Sequence, residues 1–400
     1  MTSSYTESQP ISTKLLWIMT ATTALTVGNV YYTHPLLGEM SEYFKRSPAE
    51  VGFVPTITQI GYVSGLIFLT PLGDVIEKKK LLIIFFILAA LALFGAGFSS
   101  NFFVFLFFCF FIGATAVLVQ VLIPFVALMS SIENRGKNLG LVLSGALIGV
   151  LISRTLSGFL AGIMGWRGVF WVAGGLMLTL AFVLKKSLPQ HKAQHHIPYS
   201  QLIRSVVLLI KTVPELRSIS ITAGLMYASL CAFWVSLVFL LHSPQYNLGP
   251  TAAGLFGLFG ALSALAANIA GRYAEKIGPR RLVKYCMLIM TSGYIAMSFL
   301  YSQIFGLILG TILLDLAAQS ATVSNQTQIY NLHPEAPTRV NTVYKIFYFF
   351  GGAVGSFLST LSYERWGWQG VTTTGLILLL LAFLSETIFK PIKKLKKAAL

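Results

Sequence analysis

The chain has 400 residues, of which 55% are hydrophobic and only 10% are charged. A soluble domain carries about 25% charged residues, so this composition excludes a protein whose surface mostly faces water. The formal net charge is +16, which would suit a nucleic-acid-binding protein, but the positions of the charges favour another explanation, given below.

Twelve apolar runs follow one another along the chain. A bilayer-spanning helix needs about 20 apolar residues, and the runs reach this length without the alternation of barrel strands. The sequence therefore predicts an all-α membrane protein with twelve transmembrane helices. The runs cover residues 15–37, 50–72, 81–98, 102–129, 138–163, 167–184, 217–241, 251–273, 282–301, 304–330, 340–363 and 370–389.

Several residues recur half a chain apart, which predicts an internal duplication. We therefore expect two six-helix repeat bundles, over residues 1–184 and 217–400, joined by a linker at 185–216 whose amphipathic helix lies on the membrane surface. The pairs are Asp74 and Glu275, 201 residues apart, and Pro48 and Pro250, Gly52 and Gly254, Glu133 and Glu335, Gly149 and Gly351, and Trp166 and Trp368, each 202 apart.

The positive residues are distributed unevenly between the predicted loops. If the N-terminus is cytoplasmic, the outer loops hold only Lys45, Arg46, Arg167 and Arg365. This is the asymmetry of the positive-inside rule. It explains the net charge without nucleic acid, and it predicts a multi-pass protein of the cell membrane, in bacteria the inner membrane, with both termini cytoplasmic.

Neither the cysteines nor the histidines predict a metal or cofactor site. The cysteines fall inside spans without metal-ligand spacing and are expected to pack as small apolar residues. The linker histidines have no acid or cysteine partner, so we interpret them as solvated. These residues are Cys109, Cys231, Cys286, His191, His195 and His196.

The first two spans carry polar residues that are candidates for a substrate pathway. Asn29 lies on one helical face with three threonines and stands beside Tyr31 and Tyr32. Polar groups that face lipid are costly, so we expect Asn29 to line a cavity, with helix–helix packing as the alternative. Gln59 in the second span is a further candidate.

A charged motif separates the second and third spans. It reads Thr70-Pro-Leu-Gly-Asp-Val-Ile-Glu-Lys-Lys-Lys, and a second copy over residues 271–281 reads Gly-Arg-Tyr-Ala-Glu-Lys-Ile-Gly-Pro-Arg-Arg. The first copy resembles the Gly-x-Leu-Ala-Asp-Arg-x-Gly-Arg-Lys/Arg signature of the major facilitator superfamily at Leu72, Asp74, Lys78 and Lys79. With the twelve spans and the duplication, the resemblance covers the whole chain.

The motif predicts a latch on the cytoplasmic side. An acid at a helix end attracts the partly positive N-terminus of a facing helix and neighbouring basic residues, at about 1 kcal/mol per contact. The predicted acids are Asp74 and Glu275. The predicted basic residues are Lys78, Lys79, Arg280 and Arg281, and for the lysines the alternative is plain topological charge.

Span five contains a full positive charge, Arg154, and span four contains Gln120. An arginine at this depth costs about 2.5–3.5 kcal/mol on insertion scales, so it needs an internal partner. Either it is tethered to carbonyls or a glutamine, or it contacts the substrate or a coupling carboxylate.

Span ten carries the only carboxylate near mid-membrane, Asp315. Gln319, Thr322 and Gln326 follow it at i+4, i+7 and i+11, which places all four on one helical face. Intramembrane acids usually serve function, and burial disfavours the charged form of a carboxyl. Asp315 is therefore the candidate proton carrier, and a permanent Asp315–Arg154 pair is the structural alternative.

The resemblance implies secondary transport of a small organic molecule by a monomer, in the drug and metabolite efflux branch, with proton antiport. Two departures from that branch are Cys109, where its members often carry an arginine, and Val150, where they carry a proline. Uptake by proton symport or uniport is the alternative, followed by a channel or a non-transporting receptor. No nucleotide-binding motif and no enzyme active site is found.

Overall fold

The computed structural model describes residues 11–131, 133–189, 199–260, 276–332 and 337–388. These ranges are helical apart from short connections. The helices are α1 (Thr13–Gly28), α2 (Leu37–Phe44), α3 (Pro48–Val51), α4 (Phe53–Phe68), α5 (Leu72–Val75), α6 (Lys78–Phe98), α7 (Phe102–Ala116), α8 (Val119–Met129), α9 (Arg135–Ser187), α10 (Tyr199–Thr212), α11 (Pro214–His242), α12 (Pro250–Gly260), α13 (Pro279–Leu300), α14 (Ile304–Leu332) and α15 (Pro337–Ile388). The predictions that lie outside the described residues concern Glu275, Glu335, His191, His195 and His196.

The two longest helices each contain two spans joined by a sharp turn. The turn in α9 lies at Gly165, where φ is 70°, and the turn in α15 lies at Gly367, where φ is 59°. Glycine adopts positive φ readily because it has no Cβ. The two turns are 202 residues apart, which is the offset of the sequence repeat, and they fall between the predicted spans.

Eight helical segments of the described chain are long and apolar enough to cross a membrane, when α3 to α5 (Pro48–Val75) and α7 with α8 (Phe102–Met129) are each counted as one. Two of the eight are the double spans α9 and α15, and the shorter helices α1 and α12 complete the predicted series of twelve. The all-α fold with twelve membrane-spanning helices is therefore confirmed. The limits assigned to the bundles and the linker stay a prediction, although a helix, α10, occupies 199–212 as expected.

Glycines bring equivalent helix pairs of the two repeats into contact. A Cβ added to Gly149 in α9 would lie 2.2 Å from the carbonyl oxygen of Ala24 in α1. A Cβ added to Gly351 in α15 would lie 2.1 Å from the carbonyl oxygen of Gly224 in α11. Small residues allow such backbone contact between membrane helices. The two repeats therefore share this glycine packing contact as well as their fold.

The helix bundle has two ends, which we call the terminal face and the opposite face. The terminal face carries the start of α1, α5, the start of α11 and the described end of α15. The opposite face carries α2, α3 and the turns at Gly165 and Gly367.

The two halves are in close contact at the opposite face. A Cβ on Gly158 in α9 would lie 2.3 Å from the carbonyl oxygen of Pro250 in α12. The Thr155 hydroxyl donates to the carbonyl oxygen of Gly254 at 2.8 Å, and the backbone N–H of Ala49 donates to the Glu364 carboxylate at 2.9 Å. The structure is therefore closed at the opposite face.

Candidate functional site

Arg154 lies in the first span of α9 and is only 5% exposed. Its guanidinium carbon lies 3.9 Å from the ring centroid of Trp234 and 5.1 Å from that of Tyr31. Both contacts are cation–π interactions, which strengthen when the cation is desolvated. Its Nε is buried and has no hydrogen-bond partner in the described part of the chain.

Asp315 lies in α14 and is also 5% exposed. The indole N–H of Trp234 donates to its Oδ1 at 3.1 Å. Its Oδ2 is buried without a hydrogen-bond partner among the described residues and lies against α12, where a Cβ on Gly260 would come within 2.4 Å of it. A side chain at position 260 would therefore require this carboxylate to shift.

The Trp234 side chain thus contacts both buried charges, with its ring face to Arg154 and its N–H to Asp315. The structure contains no direct ion pair between these two described residues. Opposite charges attract strongly in a low-dielectric interior, yet here an indole contacts both. Each charge therefore keeps an unfilled hydrogen-bonding position.

Tyrosines extend this group across the boundary between the halves. The hydroxyls of Tyr31 and Tyr227 are 3.0 Å apart and hydrogen-bonded, and Tyr227 stacks on Tyr348 with ring centroids 3.9 Å apart. We call Arg154, Trp234, Asp315, Tyr31 and Tyr227 the central cluster. It combines one cation, one acid and aromatic surfaces, which suits a small polar ligand with an apolar part.

The sequence predicts Arg154, Asp315 and Tyr31 as pathway residues, whereas Trp234 and Tyr227 are only two of several scattered aromatic and polar candidates in spans seven to nine, none of them specific. The available signal was that a buried tryptophan N–H or tyrosine O–H normally needs a polar partner. Inside a span, such partners are few, so an intramembrane tryptophan suggests a nearby acid.

Two predicted glutamines hydrogen-bond across the boundary between the halves. The Gln59 amide donates to the hydroxyl of Ser356 at 3.1 Å. Gln120 donates to the Tyr62 hydroxyl at 3.2 Å and accepts from the Asn341 amide at 3.3 Å. Because these bonds cross the boundary between the bundles, a rocking motion would have to break them.

Asn29 and Tyr32 contact other parts of the N-terminal half. The Asn29 amide lies 3.3 Å from the sulfur of Met177. Tyr32 packs beside Gly28, and its backbone oxygen accepts from the Ser157 hydroxyl at 2.6 Å. No hydrogen bond joins either side chain to Arg154 or Asp315 within the described residues.

The remaining residues of the predicted α14 stripe, Gln319, Thr322 and Gln326, are half-buried. Thr322 donates to a backbone carbonyl of its own helix and lines a small cavity of about 10 Å³ with Asn325 and Tyr344. A cavity of this size holds about one water molecule. The stripe therefore continues from Asp315 toward the terminal face as partly accessible polar surface.

Asp74, the acid of the predicted latch, is exposed and makes no ion pair with a described residue. Its neighbouring lysines bind backbone oxygens, with Lys78 donating to Gly73 at 3.1 Å and Lys79 donating to Leu188 at 2.6 Å. Among the described residues, Asp74 therefore makes none of the expected ionic latch contacts.

In the C-terminal half, Arg280 hydrogen-bonds the carboxylate of Glu386 and also donates to its backbone oxygen at 2.8 Å. Arg281 is exposed. Glu386 is 5% exposed and was not selected from the sequence, although an acid inside the last apolar run is itself an unusual residue. Lys79 and Arg280 therefore each bind the end of the last helix of their own half.

The similarity to known proteins extends over most of the chain. The family model of the Major Facilitator Superfamily matches residues 16–262 and 219–398. YgaY of Escherichia coli (strain K12), named as a putative uncharacterized transporter, is 36% identical over 374 residues, which cover 94% of this chain and 95% of that protein. A probable sugar efflux transporter of Helicobacter pylori (strain HPAG1) is 22% identical over 87% of this chain and 88% of that one.

Among solved structures, a bacterial homologue of the human lysosomal transporter Spinster, in an inward-facing and occupied conformation, matches with a TM-score of 0.78. The two are 13% identical, and the match covers 94% of this chain and 95% of that chain. At this identity the likeness concerns the fold. The family match and the 36% identical relative together show that this chain is a multi-pass membrane transporter, not an enzyme, and that it belongs to the Major Facilitator Superfamily.

Proposed function

We propose that this transporter exports a small organic molecule in exchange for protons by alternating access of a central site. The observation that carries the proposal is the buried Asp315 carboxylate, with one oxygen bound by Trp234 and the other without a partner among the described residues. A carboxylate in this setting can hold a proton or a cationic group, and the two compete for the same oxygens.

The closed opposite face and the unformed Asp74 contacts support a two-state mechanism. In repeat-built transporters, two bundles rock around a site near the midplane. Here the halves touch closely at the opposite face, whereas Asp74 at the terminal face is exposed and unpaired among the described residues. We infer that the terminal face opens in this state and that Asp74 forms its latch contacts in the other.

We also propose an orientation of the protein in the membrane and a direction of transport. The excess of Lys and Arg in the loops of the terminal face supports a cytoplasmic position for that face under the positive-inside rule, in the inner membrane of a bacterium. The efflux function named for the Helicobacter pylori relative supports export over uptake. We expect the single chain to suffice, as a monomer.

Transport assays with the purified protein in liposomes test proton coupling. We expect Asp315→Asn to abolish pH-gradient-driven accumulation while substrate exchange without a gradient survives, because Asn cannot carry a proton. The matched control is Glu133→Gln, which neutralises an exposed acid in a loop and should transport normally.

Three outcomes would count against parts of this proposal. Unimpaired gradient-driven accumulation by Asp315→Asn excludes Asp315 as the proton carrier. Loss of folded protein instead identifies Asp315 as structural, since an unpaired buried charge costs about 3–5 kcal/mol. Accumulation in the same direction as the imposed proton flow favours symport and uptake.

A further inference from the structure

The central cluster holds two opposite charges that do not neutralise each other. Arg154 and Asp315 are both 5% exposed, and both contact Trp234. The Nε of Arg154 and the Oδ2 of Asp315 are buried and lack hydrogen-bond partners among the described residues. Buried polar atoms are nearly always hydrogen-bonded in folded proteins, so both atoms need explanation.

A ligand with a single charge fits this arrangement poorly. An anion bound to Arg154 would lie close to the Asp315 carboxylate and be repelled by it, and a cation bound to Asp315 would be repelled by Arg154. A neutral ligand could hydrogen-bond to both atoms but would leave both charges uncompensated. A ligand that carries both charges matches both residues, because its anionic end meets the guanidinium and its cationic end meets the carboxylate.

We propose that the substrate is a small zwitterion of the amino acid class, whose carboxylate binds Arg154 and whose ammonium group binds Asp315. The rings of Tyr31 and Tyr227, hydrogen-bonded to each other across the two halves, provide an aromatic surface for the apolar part of such a molecule. Arginine suits the carboxylate end because its planar guanidinium can bind two carboxylate oxygens at once.

The inference rests on the proposed proton exchange and explains how that exchange is enforced. A proton on Asp315 removes the negative charge that the ammonium group needs, so proton and zwitterion exclude each other. Arg154 keeps its charge in both states. The site then carries either the substrate or a proton, which is the condition for antiport.

Ligand binding to the purified full chain in detergent, measured by calorimetry and thermal stabilisation, tests the substrate class without any gradient. The probes are matched triplets made from each standard amino acid, its amine without the carboxylate, and its acid without the amino group. L-phenylalanine, phenethylamine and 3-phenylpropanoate form one triplet. We expect at least one amino acid to bind about tenfold or more tightly than both of its counterparts, because each loses a charge-assisted hydrogen bond.

Two variants assign the ends of the ligand. Arg154→Gln should reduce the affinity for the amino acid to that of the amine, while Asp315→Asn should reduce it to that of the acid. The controls are Arg204→Gln, an exposed arginine of α10, and Glu133→Gln; both should bind like the unaltered protein. If a variant does not fold, the triplets on the unaltered protein still decide the question.

The proposal is overturned if no amino acid binds, or if an amine or acid binds as tightly as its amino acid. It is also overturned if a folded Arg154→Gln protein binds amino acids normally. Its failure is distinguishable from that of proton-coupled export: amino acid binding without gradient-driven transport would refute the coupling and leave the substrate class standing. Gradient-driven transport of a compound with one charge or none would refute the zwitterionic substrate class and leave the proton coupling standing.

Discussion

At the scale of single residues, Trp234 determines how the two buried charges behave. A directly paired arginine and aspartate would each lose attraction for a ligand. The indole gives each charge one favourable contact, its face for Arg154 and its N–H for Asp315, without cancelling either charge. Hydrogen bonds to charged groups contribute about 1.5–3 kcal/mol, so the N–H alone accounts for a measurable part of the stability.

Trp234→Phe separates these two contributions, since it keeps an aromatic face beneath Arg154 and removes the donor to Asp315. We expect thermal unfolding in detergent to occur at lower temperature. The matched control is Trp171→Phe, a partly exposed tryptophan that stacks on Phe98 and should change stability less. Equal effects of the two substitutions would contradict the role given to the Trp234 N–H.

The sequence predicted the charged members of the central cluster because a charge in an apolar run is conspicuous. Arg154 and Asp315 each stand in a span with almost no other charge. Trp234 was not a specific candidate, since an indole N–H in a span predicts a polar partner but not which one, and its partners here lie 80 residues or more away along the chain. The contact of one indole with both charges arises only in the tertiary structure.

At the scale of helices, close packing depends on glycines that face a neighbouring backbone. Gly149→Ala in α9 and Gly351→Ala in α15 should each lower thermal stability, because the added methyl would lie 2.2 Å and 2.1 Å from carbonyl oxygens. The control is Gly140→Ala in α9, where nothing lies within 4 Å. That change should be neutral or stabilise by about 0.5–1 kcal/mol.

Similar stability of Gly149→Ala and Gly140→Ala would show that α1 and α9 can separate without cost, and would remove the packing role. Parallel effects at positions 149 and 351 would instead support equivalent functions for the two repeats, as their 202-residue spacing suggests.

Helix limits were predictable where hydropathy changes sharply and less so within a span. Span four was predicted as one run over 102–129, whereas the structure ends α7 at Ala116 and begins α8 at Val119. The backbone there tightens into i to i−3 hydrogen bonds, as between Gln120 and Val117. Pro124 in α8 has no N–H to bond back toward this turn. Hydropathy alone does not record such a local change.

At the scale of the whole molecule, the structure is one end state of a proposed pair. The opposite face is closed by close contacts between the halves, with Gly158 against the backbone of Pro250 and Gly52 against the side chain of Thr360. The terminal face carries an acid, Asp74, that is exposed and unpaired within the described residues. The two faces therefore differ in these contacts, although Gln120 and Asn341 still join the halves on the terminal side.

Asp74→Asn tests this difference, because it should weaken only the state in which Asp74 forms its latch contacts. We expect the balance to move toward the present conformation by about 1 kcal/mol, or about fivefold. The reporter is Thr360→Cys, a residue with 0% exposure at the closed face, whose modification by a maleimide requires that face to open. The native cysteines Cys109, Cys231 and Cys286 are buried and provide the background rate.

Asp74→Asn should therefore slow the labelling of Thr360→Cys, and Glu77→Gln should not. Glu77 is a suitable control because it lies three residues away, carries the same charge and precedes α6 without capping it through its side chain. Faster labelling in Asp74→Asn would mean that the acid stabilises the present conformation, and unchanged labelling would mean that it is no part of the latch. Slower labelling would show that one exposed carboxylate at the terminal face controls access at the opposite face, which requires the two bundles to move as rigid units.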